Sequence, residues 1–69
     1  MIENNKNKII LAIDTYGADG GESVVIDGCD YIANQLNVFF IFVGNKSLIT
    51  PLINKSENLK SYNILNTLD

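Results

Sequence analysis

One segment of the sequence combines acidic side chains with glycines, a mixture that suits a ligand-binding loop. It runs from Asp14 to Gly21 and contains Gly17, Asp19 and Gly20. Glycines let a backbone approach a ligand closely, and the free amides at a helix N-terminus attract anions. The spacing G-x-x-G-G differs from the dinucleotide fingerprint G-x-G-x-x-G, and no Walker lysine follows it. The segment is therefore a candidate ligand-binding loop, and a plain glycine-rich turn is the alternative.

The composition excludes several kinds of catalytic and binding site. The 69 residues contain no histidine, no arginine and one cysteine. Ser-His-Asp triads, Cys-His pairs, Cys/His zinc sites and arginine clamps are therefore impossible within this sequence. Cys29 has no basic neighbour in the sequence and lies on an apolar helix face, so we expect a small core residue. The lysines are scattered and the net charge is −3, so nucleic acid is not an expected partner.

Three apolar segments predict the strands that would position this loop. Residues 8–13 form a nearly continuous apolar run, typical of a strand buried on both faces. Residues 38–43 form a second and strongly β-prone run, and residues 61–65 predict a weaker third strand. In a parallel sheet, ligands bind beyond the carboxyl ends of the strands, where the loop and Gly44 would meet.

Two helices are predicted between these strands. Apolar residues recur at helical spacing from residue 22 to residue 36, with Asp19 as the expected N-cap. Gly28 lies inside this helix and suggests that a neighbouring element approaches it closely. A shorter helix is predicted over residues 48–54, capped by Ser47. The order β-α-β-α-β predicts an α/β fold with a parallel sheet and right-handed crossovers.

The predicted helices cannot cover all of the apolar surface of the predicted strands. If the strand order runs one way without reversal, both helices lie on the same face of the sheet. The other face then stays bare, although the strands have the composition of strands buried on both faces. The chain therefore looks like the first part of a larger domain, or like a chain that needs the surface of a partner.

The loop motif and the end of the second strand together resemble a known family. Asp14, Gly17 and Asp19 follow the first strand at the spacing D-x-x-G-x-D, and the second strand ends in Val-Gly44-Asn. This resembles the N-terminal part of the bacterial phosphate acyltransferases, which opens with D-x-M-G-G-D-x-x-P and whose second strand ends in V-G followed by Asn or Asp. Three residues depart from that pattern, where the family has Met, Gly and Pro: Tyr16, Ala18 and Glu22.

The resemblance implies a fold, a reaction and a set of partners. The fold would be a three-layer α/β/α sandwich, of which this chain would supply an incomplete β-α-β-α-β start. The reaction would transfer a fatty acyl group from acyl-acyl-carrier-protein to inorganic phosphate, without a redox cofactor. The acyl-phosphate would feed a membrane glycerol-3-phosphate acyltransferase in phospholipid biosynthesis. Family members are cytoplasmic homodimers that associate loosely with the membrane.

The resemblance also assigns candidate site residues and domain limits. Five residues are expected to bind substrate, none of them as a catalytic base or metal ligand: Asp14, Gly17, Asp19, Gly20 and Gly44. We expect a polar tail over residues 1–7 and a fragment of the acyltransferase domain over residues 8–69, with the catalytic residues downstream and no turnover by this chain alone. Two alternatives from other classes are a small binding or assembly module and a nonfunctional truncated remnant.

Overall fold

The predicted order of elements is confirmed by a computed structural model, which describes residues 8–16 and 21–67. Three strands form one parallel sheet in the order β1-β2-β3, so the fold is α/β as predicted. The strands are β1 (Ile9–Asp14), β2 (Val38–Gly44) and β3 (Tyr62–Asn66), and the helices are α1 (Glu22–Gln35) and α2 (Lys46–Lys55).

The core lies between the two helices and one face of the sheet. Strand β2 is central, and alternate side chains on it are buried, with Phe40 and Phe42 completely inaccessible to solvent. Their rings stack with centroids 5.5 Å apart. The helices and the segment before β3 supply the core residues that lie outside the sheet: Ile26, Cys29, Ile49, Ile53 and Leu59. Cys29 is thus a buried core residue, as expected.

The opposite face of the sheet carries no covering element among residues 8–16 and 21–67. Ile10 on this face is 64% exposed and Leu65 is 53% exposed. A bare face is what the unreversed strand order predicts. The expectation that the first strand is buried on both faces is wrong for the described chain, because β1 is an edge strand. Even on the helix side, Ile9 is 44% exposed and Leu11 is 36% exposed.

Helix α1 begins differently from the prediction. Its N-cap is Gly21, not Asp19, and Gly21 has no side chain with which to cap the helix. Gly21 has φ of 76°, in the left-handed region that favours glycine, so the residue type is explained by backbone geometry. The close approach predicted at Gly28 is wrong, since this residue is exposed and a Cβ there would meet no atom within 4 Å.

Helix α2 begins two residues before its predicted start. Asn45, not Ser47, is the N-cap, and its side-chain oxygen accepts a 2.9 Å hydrogen bond from the Ser47 amide. Pro51 consequently lies inside the helix, where its missing N–H leaves a carbonyl of the exposed first turn without an intrahelical donor. Water can reach that turn, which lowers the cost of the missing bond.

Candidate functional site

The carboxyl ends of the three strands meet along one edge of the sheet. We use the term carboxyl edge for residues 14–16, 43–45 and 66–67. The register pairs Asp14 with Val43 and Gly44 with Asn66, so the predicted loop begins directly beside the end of the central strand. Two of the candidate substrate-binding residues, Asp14 and Gly44, are therefore neighbours at this edge.

Thr15 forms the contact between the loop and the central strand. It is 1% exposed, and both its amide and its hydroxyl donate to the Val43 carbonyl, at 3.1 and 3.2 Å. A Cβ at Gly44 would collide with Thr15 Oγ1 and would lie 3.1 Å from Ile49 Cδ1. Gly44 is therefore needed for close packing between strand ends, which is a structural reason for the glycine independent of any ligand.

Asp14 and Tyr16 shape the start of the loop. An Asp14 carboxylate oxygen accepts a 2.9 Å hydrogen bond from the Tyr16 amide, which closes a turn of the kind aspartate commonly forms. The Tyr16 hydroxyl lies 2.9 Å from Thr67 Oγ1 and donates to the Thr67 carbonyl at 3.3 Å. The Tyr16 side chain therefore spans the end of β2 and links the first loop to the end of β3.

The first turn of α2 lies on the same edge, and side chains already occupy two of its amides. The Lys46 amide donates to Asn66 Oδ1 at 3.1 Å, and the Ser47 amide donates to Asn45 Oδ1 at 2.9 Å. An anion at this helix start would have to displace these amide oxygens. The exposed side chain of Lys46 is the cationic group that this turn contributes to the edge.

Three of the candidate residues, Gly17, Asp19 and Gly20, lie outside the described residues. Within the described parts of the chain, no group of three or more His, Cys, Asp or Glu residues is placed to hold a metal ion.

Burial raises the pKa of the Cys29 thiol, which disfavours the thiolate form that a nucleophile would need. Among the residues that the structure describes, no helix has the length and apolar character needed to cross a membrane.

A shallow cavity of about 200 Å³ lies away from the loop, between α2 and β3. It is lined by Lys46, Thr50, Tyr62, Asn63 and Ile64. The Thr50 hydroxyl oxygen is buried, and no residue in the described part of the chain forms a hydrogen bond with it. The candidate residues at the start of the loop do not line this cavity, and Lys46 is the residue that both adjoins the carboxyl edge and lines the cavity.

The sequence interpretation missed Thr15 and Thr67. Thr15 stands between two residues of the loop motif, and a β-branched residue directly after an apolar segment is a recognisable indication that extended backbone continues to this position. Thr67 could not be singled out in the same way, because its contact with Tyr16 depends on the position of β3 next to β2. Its amide also donates to the Gly44 carbonyl at 2.9 Å, which extends the β2–β3 ladder past Asn66.

Comparison with known proteins agrees with the motif at the edge. The chain is 41% identical over 54 residues to the phosphate acyltransferase of Roseobacter denitrificans, a match that covers 77% of this chain. The same match covers 15% of that relative, so the chain spans a small part of its length. No family model matches the sequence, and no solved structure matches it. The resemblance that the motif predicted is thus confirmed, and the chain belongs, as a fragment, to the phosphate acyltransferase family.

Proposed function

We propose that this chain supplies the first loop of a substrate cleft in an enzyme that transfers a fatty acyl group from acyl-acyl-carrier-protein to inorganic phosphate. The observation that carries the proposal is the 41% identity over 54 residues to a protein named phosphate acyltransferase. In the reaction, a phosphate oxygen attacks the thioester carbonyl. The carbon–sulfur bond breaks, and the thiol of the carrier protein leaves with a proton.

The carboxyl edge is the part of this chain that would contribute to the cleft. Asp14, Gly17, Asp19 and Gly20 form the first cleft loop in this proposal, and Gly44 lies beside it. The role of Asp14 is to orient loop amides and cationic groups near the substrate, since its carboxylate is exposed and closes the turn at Tyr16. This proposal requires no cofactor. The product would be consumed by a membrane acyltransferase of phospholipid synthesis, and the working protein would be a homodimer that is cytoplasmic and peripheral at the membrane.

A chimera tests this proposal directly. The 54 matching residues of the Roseobacter denitrificans protein are replaced by the matching residues of this chain. The assay follows phosphate-dependent release of the carrier-protein thiol from acyl-acyl-carrier-protein. We expect the chimera to form acyl-phosphate and the isolated 69-residue chain to form none. A folded chimera without activity would contradict the proposal.

Two matched substitutions in the chimera test the role of Asp14. Asp14→Asn keeps an oxygen that accepts from the Tyr16 amide but removes the charge, and we expect activity to fall about tenfold, equivalent to about 1.4 kcal/mol. Asp27→Asn removes one charge from the exposed face of α1 and is the control, with activity expected to stay unchanged. Equal activities for the two variants would show that Asp14 acts only in the turn.

A further inference from the structure

We propose that Tyr16 is a positioning residue, whose hydroxyl contact with Thr67 fixes the direction of the Asp14 carboxylate at the carboxyl edge. The inference rests on the proposed function, because it concerns how the edge assigned to the substrate cleft is held in one geometry. It gives Tyr16 no contact with substrate, since Tyr16 acts through Asp14.

The first observation is that both hydrogen-bonding capacities of the Tyr16 hydroxyl are directed at Thr67, 51 positions away in the sequence. The hydroxyl donates to the Thr67 carbonyl at 3.3 Å. A phenol has one proton to donate, so the Thr67 hydroxyl is the donor in the 2.9 Å contact between the two side chains. The far end of the Tyr16 side chain is thus held by two bonds to one residue.

Both ends of this contact stand on backbone that is bonded to the central strand. Thr15, directly before Tyr16, donates to the Val43 carbonyl through its amide and its hydroxyl. The Thr67 amide donates to the Gly44 carbonyl at 2.9 Å. The Tyr16 side chain therefore connects two points that are anchored to consecutive residues of β2.

The Tyr16 amide transmits this anchoring to Asp14. It donates to an Asp14 carboxylate oxygen at 2.9 Å. The carboxylate is exposed, and a single exposed hydrogen bond competes with water and contributes little by itself. Tyr16 is 51% exposed and lies two residues beyond the end of β1, so its hydroxyl contact adds a long-range restraint on the direction of its amide.

The side chain that makes this contact is one of the departures from the family motif. The motif has Met at the position of Tyr16, and a thioether sulfur has no proton to donate. The contact with Thr67 is therefore a feature of this sequence and not of the shared motif.

Amide hydrogen exchange of the 69-residue chain, followed by NMR, tests the positioning without reference to activity. Tyr16→Phe removes one hydroxyl of the contact, and Thr67→Val removes the other. We expect each substitution to raise the exchange rate of the residue 16 amide about fivefold. The Ile49 amide, which donates to the Asn45 carbonyl inside α2, is the internal reference for a loss of overall stability.

Two variants serve as matched controls. Thr67→Ser keeps the hydroxyl and is expected to keep the slow exchange of the residue 16 amide. Tyr31→Phe removes the same group from an exposed tyrosine on α1 and is expected to leave that rate unchanged.

The second experiment uses the chimera, extended to include residue 67 of this chain. We expect Tyr16→Phe to lower kcat about fivefold with little change in KM for phosphate, and Thr67→Ser to keep full activity. In the Asp14→Asn background, Tyr16→Phe should have little further effect, because the charge that Tyr16 positions is absent. A loss of stability alone would not depend on the charge of residue 14.

Several results would overturn the inference. If the residue 16 amide exchanges no faster, relative to Ile49, after Tyr16→Phe, the hydroxyl contact does not hold this amide. If Tyr16→Phe lowers kcat equally with and without Asp14→Asn, Tyr16 does not act through Asp14. An active chimera that is insensitive to Tyr16→Phe would contradict the inference and leave the proposed function intact. An inactive unmodified chimera would contradict the proposed function, and the exchange rates would still decide whether Thr67 holds the Tyr16 amide against Asp14.

Discussion

Replacing Gly44 by alanine tests the packing that joins the first loop to the central strand. The new methyl group would collide with Thr15 Oγ1 and would lie 3.1 Å from Ile49 Cδ1. The backbone of Gly44 has no positive φ, so steric collision and not backbone strain sets the cost. Overpacking of this kind costs about 1–3 kcal/mol. A core this small rarely supplies more than about 3–5 kcal/mol, so Gly44→Ala is expected to remove a large part of the free energy of unfolding.

Thermal unfolding followed by circular dichroism, at one protein concentration, measures this cost. A loss of about 1 kcal/mol lowers the midpoint by about 4–8 °C in a domain of this size. Gly28→Ala is the matched control, because a Cβ at this exposed helical position meets no atom within 4 Å. It is expected to raise stability by up to about 1 kcal/mol. If Gly44→Ala melts at or above the temperature of the unmodified chain, the packing argument is refuted.

A double-mutant cycle identifies Thr15 as the cause of the collision. Thr15→Ala removes Oγ1 and its bond to the Val43 carbonyl, which still accepts from the residue 15 amide. In this background the methyl group added at residue 44 has more space. The double variant should therefore be more stable than the sum of the single effects predicts, by about 1 kcal/mol. Additive effects would show that Thr15 is not the residue that excludes a larger side chain.

Three further predictions concern two hydrogen bonds and one titratable side chain. Tyr16→Phe removes the hydroxyl that contacts Thr67 and should cost about 0.5–1 kcal/mol in a denaturant titration, with no loss of the sheet spectrum. Asn45→Ala removes the cap of α2 and should cost about 0.5–2 kcal/mol, while Asn45→Asp should retain most of the stability. Burial raises the pKa of the Cys29 thiol, so folding binds its proton more tightly. Its contribution is present below the pKa of the unfolded thiol, about 8.5, and is lost as the pH rises through the folded pKa. Unfolding midpoints should therefore fall above about pH 8.5 more steeply for the unmodified chain than for Cys29→Ala.

The elements were predictable because each rests on local sequence. The run of apolar and aromatic residues in β2 fits a buried strand, and the helical spacing around Cys29 fits an amphipathic helix. The starts of the helices were less predictable, because caps depend on contacts over a distance. Asn66, twenty positions away, accepts from the Lys46 amide, and this bond helps α2 to begin before Ser47.

The sequence was sufficient to predict which residues of the candidate site lie at the same edge of the sheet. It was not sufficient to predict the contacts between their side chains. Parallel strands bring Asp14 and Gly44 to one edge as soon as their order along the chain is known. The collision that forbids a side chain at Gly44 depends on the buried position of Thr15, which only the packed structure shows. The link between Tyr16 and Thr67 likewise requires the order β1-β2-β3.

For β1, the apolar composition correctly predicts a strand but wrongly predicts that the strand is buried on both faces. An apolar composition of this kind is typical of a strand that is covered on both faces, yet the described chain leaves Ile10 64% exposed. The two helices of this chain cover only one face of the sheet within the described residues. The exposed apolar surface of β1 is therefore the part of its composition that the described residues do not explain, because they leave Ile9 and Ile10, on opposite faces of the strand, in contact with solvent.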